Sequence, residues 1–192
     1  MMNRVKNILL AGVGGQGILL ASEILSEALM LAGFDVKKAE VHGMAQRGGN
    51  VVSHVRYGDK VFSPTIPDGE VDILFGFELL ETARNLDQLG TEGVVIANTL
   101  KLAPPSVSIG KEAYPAGLAE KILEKVPNAK IIDGMGLAQQ AGDARTVNIV
   151  LLGALSTTMD LDEAIWQQAM EKMIPERLLE VNKAAFALGQ SA

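Results

Sequence analysis

The chain has 192 residues, of which 48% are hydrophobic and 21% are charged, so it is long enough to bury the core of one globular domain. Its formal net charge of -6 at pH 7 argues against nucleic acid as a partner, because phosphates attract clustered lysine and arginine. It contains no cysteine, which excludes a disulfide, an iron–sulfur cluster, a cysteine-ligated zinc site and a thiol nucleophile on this chain.

The first apolar run of the chain, residues 5–12, indicates a buried strand. It stops at the glycines of the loop that follows, which makes it shorter than a secretory signal and its cleavage site require. No stretch reaches the roughly 18 apolar residues that a membrane helix needs. We therefore expect a cytoplasmic protein.

Strands and helices alternate through the first half of the chain. Short apolar or alternating runs predict strands, at 5–12, 34–40, 50–58, 71–77 and 93–98. Apolar residues at helical spacing predict helices, at 18–31 and 78–89. In 50–58, Val51, Ser53 and Val55 share one face, and Val52, His54 and Arg56 share the other. The short turn at 58–60 predicts a hairpin with the residues after it, so part of the sheet should be antiparallel.

The second half of the chain is predicted to be mainly helical. Residues 102–110 contain two prolines and are predicted to cross an edge of the sheet. The remaining predicted elements are a helix at 116–126, a last strand at 128–134, and helices at 144–155 and at 161–188 around Pro175, the last ending before Gly189. The sequence thus predicts one domain over 1–192, an α/β, Rossmann-like three-layer αβα sandwich with a mostly parallel, partly antiparallel sheet and a helical part at about 144–189.

A glycine-rich loop follows the first predicted strand. Gly12, Gly14 and Gly17 match the three roles of a dinucleotide-binding turn, which are a tight bend, close approach to a phosphate, and a helix packed near the sheet. Glu40 lies roughly 20 residues further on, where an acid that binds a ribose would stand. A nicotinamide-binding enzyme is therefore one hypothesis. Against it, no helical pattern follows Glu40 where the βαβαβ fold needs a crossover, and no Tyr-x-x-x-Lys pair is evident.

Two other interpretations of the glycine loop remain. The G-x-G-G-x-G form also resembles adenylating enzymes of the ubiquitin-activating type, but those commonly carry a zinc-binding or catalytic cysteine, which is missing here. The glycines could also do no more than allow a tight turn from strand to helix, because the motif alone is weak.

A second stretch, EVHGMAQRGG at 40–49, favours a different family. Together with the glycine loop and its Gln16, the strand VDILFGFE, the strand end ANTL and the helix from Asn182 to Gly189, it resembles the gamma subunit or domain of the 2-oxoacid:ferredoxin oxidoreductases over nearly the whole chain. The form of the stretch before Arg47 most resembles the indolepyruvate branch, in which this chain is the small, beta subunit.

The resemblance implies a function and a set of partners. Such enzymes decarboxylate a 2-oxo acid on thiamine diphosphate, pass two electrons through [4Fe-4S] clusters to ferredoxin and release an acyl-CoA. Thiamine diphosphate, Mg and the clusters would belong to the large partner subunit, in agreement with the absence of cysteine here, and CoA would be a co-substrate of the whole enzyme. The chain would then be a subunit of a hetero-oligomer and inactive alone, with a homodimer as an alternative for the isolated chain.

The candidate ligand or interface residues lie in the two glycine-rich segments: Gly12, Gly14, Gly15, Gln16, Gly17, His42, Gln46, Arg47, Gly48 and Gly49. Arg47 could offer a bidentate fork to a carboxylate or phosphate, or it could pair with a neighbouring carboxylate in a turn. Gln16 could bind a ligand or cap the helix, and His42 could contact ligand or partner.

Other polar residues are predicted to have structural roles. His54 should be a residue of a strand face, and the two histidines, without a carboxylate at ligand spacing, do not predict a metal site. Asp133–Gly136 should be a turn that ends a strand, and Asn148 should satisfy a buried polar contact. No catalytic residue is assigned. Three hypotheses follow: an oxidoreductase subunit, a stand-alone nucleotide-dependent enzyme, and a binding module without chemistry.

Overall fold

The computed structural model describes residues 4–42 and 49–192, and of His42 only the backbone. Within this part of the chain, six strands form one sheet in the order β2-β3-β1-β4-β5-β6. Their bounds are Lys6–Val13 (β1), Asp35–His42 (β2), Asn50–Gly58 (β3), Val71–Gly76 (β4), Leu89–Asn98 (β5) and Lys130–Ile132 (β6).

The strand directions confirm a mostly parallel, partly antiparallel sheet. β4 is parallel to β1, β5 to β4 and β6 to β5, whereas β3 runs antiparallel to both of its neighbours, β1 and β2. β2 therefore points the same way as β1. The carboxyl ends of β1, β2, β4, β5 and β6 meet at one edge of the sheet, which we call the carboxyl edge.

The predicted hairpin around 58–60 is wrong. β3 is instead the return strand of a hairpin with β2, and residues 59–70 form a loop without a strand. Pro64 and Pro67 cannot donate to a sheet ladder. Side chains of β3 hold the loop: Nη1 of Arg56 donates to the carbonyls of Ser63 and Thr65 over 3.0 and 2.9 Å.

The described residues form eight α-helices: Ile18–Leu31 (α1), Leu79–Arg84 (α2), Pro105–Ser108 (α3), Leu118–Lys125 (α4), Gly134–Ala141 (α5), Val147–Ser156 (α6), Glu163–Met173 (α7) and Glu176–Gln190 (α8). The sequence misplaced the ends of α2 and α8, and it did not predict α3 or α5. α2 ends at Arg84 and is followed by a single 3-10 turn. Asp133–Gly136 is the start of α5 rather than a free turn. α8 continues through Gly189, since the glycine allows a close helix crossing.

Helices cover both faces of the sheet, which confirms the three-layer α/β sandwich. Ile8 and Leu10 of β1 face the larger core, which contains residues of α1, α5, α6, α7 and α8. Leu9 and Ala11 face the smaller core, under α2 and α4. The alternation along β1 therefore sends successive side chains to opposite layers.

The closest helix contact lies between α6 and α8. A Cβ on Gly153 would collide with the backbone carbonyl of Phe186, and a Cβ on Gly189 with that of Val150. The two glycines thus let the helix backbones touch. Trp166 of α7 packs on the Phe186 ring at 5.7 Å, so α6, α7 and α8 form one layer.

The segment after β5 leaves the carboxyl edge as a loop. Residues 99–117 contain the short α3 and form no strand. Thr99 donates its N–H to the carbonyl of Ile132 over 2.9 Å, after which the chain turns away from the sheet. The predicted crossing of an edge at 102–110 is therefore an excursion from that edge, not an edge strand.

Candidate functional site at the carboxyl edge

A cavity of about 470 Å³ opens at the carboxyl edge. Its floor contains Phe77 and Asn98, which lie at the ends of β4 and β5. The glycine loop after β1 forms one wall, and residues 143–148 together with the start of α8 form another. Ligands of open α/β sheets bind in the crevice outside the carboxyl ends of the strands, so this cavity is the candidate site.

Gln16 is the internal brace of the glycine loop. Its Oε1 accepts from the N–H of Val13 over 2.7 Å, and its Nε2 donates to the carbonyl of Phe77 over 3.1 Å. A Cβ on Gly12 would lie 2.8 Å from the Phe77 Cβ and would also meet Gln16 Oε1. Gly12 therefore makes room for the side chain of Gln16, which ties the ends of β1 and β4 together.

The amino end of α1 is shaped by Gly17. This residue has a φ of 76°, and a Cβ there would lie 2.7 Å from Nδ2 of Asn148. Nδ2 of Asn148 in turn donates to the carbonyl of Gly17 over 3.3 Å, which confirms the predicted buried polar contact. Gly17 was predicted to let α1 pack closely on the sheet; in the structure it lets α1 pack closely on Asn148 of α6.

The second glycine-rich segment meets the first at its described end. The N–H of Gly14 donates to the carbonyl of Gly49 over 3.0 Å, just before β3 begins. Gln46, Arg47 and Gly48 lie outside the described residues, as does the His42 side chain. β2 ends at His42, at the same edge as β1, so both ends of the 42–49 segment lie near the glycine loop.

Buried amide side chains surround the cavity. Asn98 donates from Nδ2 to the Phe77 carbonyl over 3.3 Å and accepts at Oδ1 from the N–H of Gly134 over 3.1 Å. Asn182 donates to the carbonyl of Leu178, one turn earlier in α8, over 2.7 Å. Each is more than nine-tenths buried. Asn98 joins β4, β5 and the start of α5 at a single point.

Four helices begin at this cavity. Gly17, Met135, Val147 and Pro175, which all line it, belong to the first turns or N-terminal caps of α1, α5, α6 and α8. The amino ends of helices carry unpaired N–H groups and partial positive charge. The cavity therefore combines apolar walls, such as Leu20 and Leu178, with the amino ends of four helices.

An ion pair lies among the cavity residues. The guanidinium of Arg145 makes several hydrogen bonds to the carboxylate of Asp143, at distances from 2.6 to 3.0 Å, and these bonds lower the pKa of Asp143 to about 2. The Arg145 side chain is 82% exposed. Its charge is available to a ligand only by competition with Asp143.

The remaining predicted residues lie elsewhere or have other roles. Glu40, the candidate ribose acid, pairs with Lys38 over 2.8 Å, and β2 leads into the antiparallel β3 rather than into a crossover and a parallel strand, so the βαβαβ order is not formed. His54 lies on a face of β3, as predicted, and its Nδ1 accepts from the N–H of Ile66 over 3.3 Å. Asp133 caps α5 through the N–H of Gly136.

Several cavity residues were not predicted from the sequence. Asn98 and Asn182 belong to the family pattern without a predicted role in the site, and no motif points to Arg145. The only signal for Asn98 was its place at the end of a predicted strand. Asn182 comes from a helix 84 positions later, so only tertiary packing brings the two to one cavity.

Between residues 4–42 and 49–192, no three histidine, aspartate or glutamate side chains cluster as metal ligands would. No helix in these ranges is long and apolar enough to span a bilayer.

Comparison with known proteins identifies the family. The profile of the pyruvate ferredoxin/flavodoxin oxidoreductase family matches residues 7–192. The indolepyruvate oxidoreductase subunit IorB of Thermococcus kodakarensis is 39% identical over 191 residues, which cover 97% of this chain and 95% of that protein. The pyruvate/ketoisovalerate oxidoreductases common subunit gamma of Pyrococcus abyssi is 28% identical over 152 residues, which cover 78% and 76%.

A solved structure shows the same fold. The 2-oxoglutarate:ferredoxin oxidoreductase from Magnetococcus marinus, with 2-oxoglutarate, coenzyme A and succinyl-CoA bound, matches with a TM-score of 0.77 at 22% identity. The match covers 98% of this chain and 31% of that one. The resemblance seen in the glycine loop and in the 40–49 stretch is confirmed: the chain belongs to the pyruvate ferredoxin/flavodoxin oxidoreductase family.

Proposed function

We propose that the chain is the small subunit of a cytoplasmic 2-oxoacid:ferredoxin oxidoreductase of the indolepyruvate type. The whole enzyme would convert an arylpyruvate, CoA and oxidised ferredoxin to an acyl-CoA, CO2 and reduced ferredoxin. The observation that carries the proposal is the alignment with IorB along 97% of this chain and 95% of that protein. The identity of 39% to IorB, against 28% to the common gamma subunit, favours the indolepyruvate branch.

The redox and decarboxylation chemistry would take place on a large partner subunit. Iron–sulfur clusters are held by cysteine thiolates, and this chain has none, so its residues do not fit a cluster. Thiamine diphosphate and Mg are placed on the partner as well, where thiamine diphosphate supplies the carbanion-stabilising group. The role left to this chain is to complete the assembly and to help bind a substrate.

The carboxyl edge is the surface that we propose faces the partner's active site. CoA carries phosphates and a flat adenine ring, and the cavity offers apolar walls beside the amino ends of four helices. The 2-oxoglutarate enzyme of the same fold was solved with coenzyme A bound. We therefore propose that the cavity holds part of CoA, with Gly15 and Gly17 at the phosphate end, and that Arg47 contributes a positive charge to substrate binding.

The proposal is tested by reconstitution. The purified chain, supplied with thiamine diphosphate, Mg²⁺, CoA and an arylpyruvate, is expected to reduce no ferredoxin, and co-expression with the large subunit should restore turnover. Reduction of ferredoxin by this chain alone would contradict the subunit assignment. Failure of the two chains to copurify would contradict it too.

The CoA part is tested separately by filling the cavity in the assembled enzyme. Leu178→Trp adds bulk to the wall from α8 and should raise the KM for CoA while the complex still assembles on a sizing column. Leu123→Trp, at an exposed position of α4, is the matched control. An unchanged KM for CoA in the Leu178 variant would show that CoA does not use this cavity.

A further inference from the structure

The loop from Leu102 to Tyr114, called here the 102–114 loop, has its two ends at one carboxylate. Oε1 of Glu78 accepts from the N–H of Leu102 over 3.0 Å and from the hydroxyl of Tyr114 over 2.6 Å. Compact surface loops whose ends lie close together are a common kind of functional loop. Here a single oxygen atom closes the neck of the loop.

Burial and three hydrogen bonds fix the side chain of Glu78. Its side chain is 1% exposed, and its second oxygen, Oε2, accepts from the N–H of Glu81 over 2.8 Å at the start of α2. A buried carboxylate is costly unless hydrogen bonds satisfy it, and these three donors do so. Burial and then the bond to Glu78 raise the pKa of Tyr114, so the phenol stays protonated and remains a donor.

The neck of the loop is joined to the cavity through the residues on either side of Glu78. The carbonyl of Phe77 accepts from Gln16 and from Asn98. The N–H of Leu79 donates to the carbonyl of Leu100 over 3.0 Å, and Leu100 lines the cavity. Only Lys101 separates that wall residue from Leu102, which Glu78 holds.

Among the described residues, the 102–114 loop has few other attachments to the body of the protein apart from the packing of Tyr114 on the smaller core. The residues between its ends are largely exposed, including Ile109 at 66%. The backbone hydrogen bonds made by residues 104–112 stay within the loop. Three of the seven prolines of the chain lie at 104, 105 and 115, which limits the freedom of its backbone. A shift of Leu102 at the neck would be carried to Leu100 through a single intervening residue.

We infer that Glu78 and Tyr114 are positioning residues that set the Leu100 wall of the cavity and thereby tune the binding of CoA. This inference rests on the proposed function, because it takes the cavity to be the CoA site. Neither residue lines the cavity itself. Their effect on substrate would be carried by the backbone of residues 100–102.

The test is Tyr114→Phe in the assembled enzyme, with Tyr57→Phe as the matched control. Tyr57 is a buried tyrosine at the far end of β3, where it packs on Phe34. In the Tyr114 variant, hydrogen exchange of the amides at 100–114 should accelerate about tenfold, as expected for the loss of one hydrogen bond of ordinary strength. The control variant should leave those amides unchanged.

Kinetics distinguish positioning from mere stabilisation. Tyr114→Phe should raise the KM for CoA about three- to tenfold while kcat stays within about twofold, the pattern of weakened substrate binding with unchanged chemistry. Glu78→Ala should have a larger effect of the same kind, and Glu78→Gln, which keeps one carbonyl acceptor, an intermediate one. If the Glu78 variants do not fold, Tyr114→Phe alone decides.

The failures can be separated from one another. Faster exchange at 100–114 with an unchanged KM for CoA would show that the pair only stabilises the loop, and unchanged exchange would show that it does not hold the loop; either result overturns the inference. If Leu178→Trp also leaves the KM for CoA unchanged, the proposed CoA site itself has failed. If Leu178→Trp raises that KM and Tyr114→Phe does not, the positioning role alone has failed.

Discussion

Replacement of Gln16 by alanine separates the two roles that the sequence left open for this residue. The side chain accepts from the Val13 N–H over 2.7 Å and donates to the Phe77 carbonyl over 3.1 Å. If Gln16 is a brace, Gln16→Ala removes both bonds: the Val13 N–H loses this acceptor, and the Phe77 carbonyl keeps only the bond from Asn98 over 3.3 Å. Stability should then fall, whether or not any ligand is present.

The expected loss follows from these contacts. Each neutral hydrogen bond contributes about 1 kcal/mol net, so the two together amount to about 2 kcal/mol. For a chain of this length, that corresponds to a decrease in Tm of roughly 4–8 °C. Water can reach the half-buried loop and hydrogen-bond to the exposed backbone groups, so the decrease in Tm should not exceed about 8 °C.

Gln16→Glu gives the prediction a pH dependence. One carboxylate oxygen can still accept from the Val13 N–H, but the other then faces the Phe77 carbonyl without a proton to share. The pKa of the introduced carboxyl should therefore be raised in the folded state. A raised folded pKa means that relative stability is highest below the unfolded value of about 4.3 and is lost as pH rises through the folded value.

Urea unfolding of the purified chain at pH 7 and at pH 4.5 measures both effects. Gln140→Ala, at an exposed position of α5, is the control and should be nearly neutral. A Gln16→Ala chain as stable as the original, but with weaker CoA binding in the complex, would refute the reasoning. Gln16 would then be a ligand contact rather than a brace.

Three further predictions concern other parts of the chain. Gly153→Ala should lower the free energy of unfolding by about 3 kcal/mol, since the added Cβ meets the Phe186 backbone; an unchanged urea midpoint would show that the α6–α8 crossing can relax. Burial, and then Arg56, lower the pKa of His54, so its contribution to stability is present above about pH 6.5 and lost as pH falls; His54→Asn should flatten that part of the stability profile, and an unaltered profile would exclude His54 as its source. Arg47→Ala should raise the KM for CoA or the 2-oxo acid with assembly intact, and Arg47→Lys should rescue it in part; wild-type kinetics would mark an ordinary turn arginine.

Local patterns in the sequence were sufficient for most of the elements. β1 and α1 follow from a continuous apolar run and from apolar residues at helical spacing, and the glycines between them fit a tight turn. The alternation of Val51 and Val55 with Val52 and His54 predicted a strand with two distinct faces, and the structure buries the face of Val51 and Val55. These signals succeed because burial on one face or two imposes a period on neighbouring residues. The family, too, could be recognised from motifs that are contiguous in sequence.

Pairing and helix ends were decided by contacts between distant residues. The turn at 58–60 has a hairpin sequence, but β3 pairs with β2 and β1, and Arg56 holds the following residues as a loop. α8 runs through Gly189 because α6 packs against that glycine. A local propensity cannot include a partner that is separated from it by many residues.

The candidate site, too, was determined partly by local sequence and partly by contacts between distant residues. The sequence by itself determined that the chain has no thiolate chemistry, that a glycine loop follows the first strand, and which family it belongs to. Only the tertiary structure decided that Gln16 folds back into that loop, that Asn98 and Asn182 lie at one cavity, and that Glu78 closes a loop between Leu102 and Tyr114. Side-chain hydrogen bonds depend on direction and on distances of about 3 Å, and positions far apart in the chain reach such distances only after the sheet has set where each strand ends.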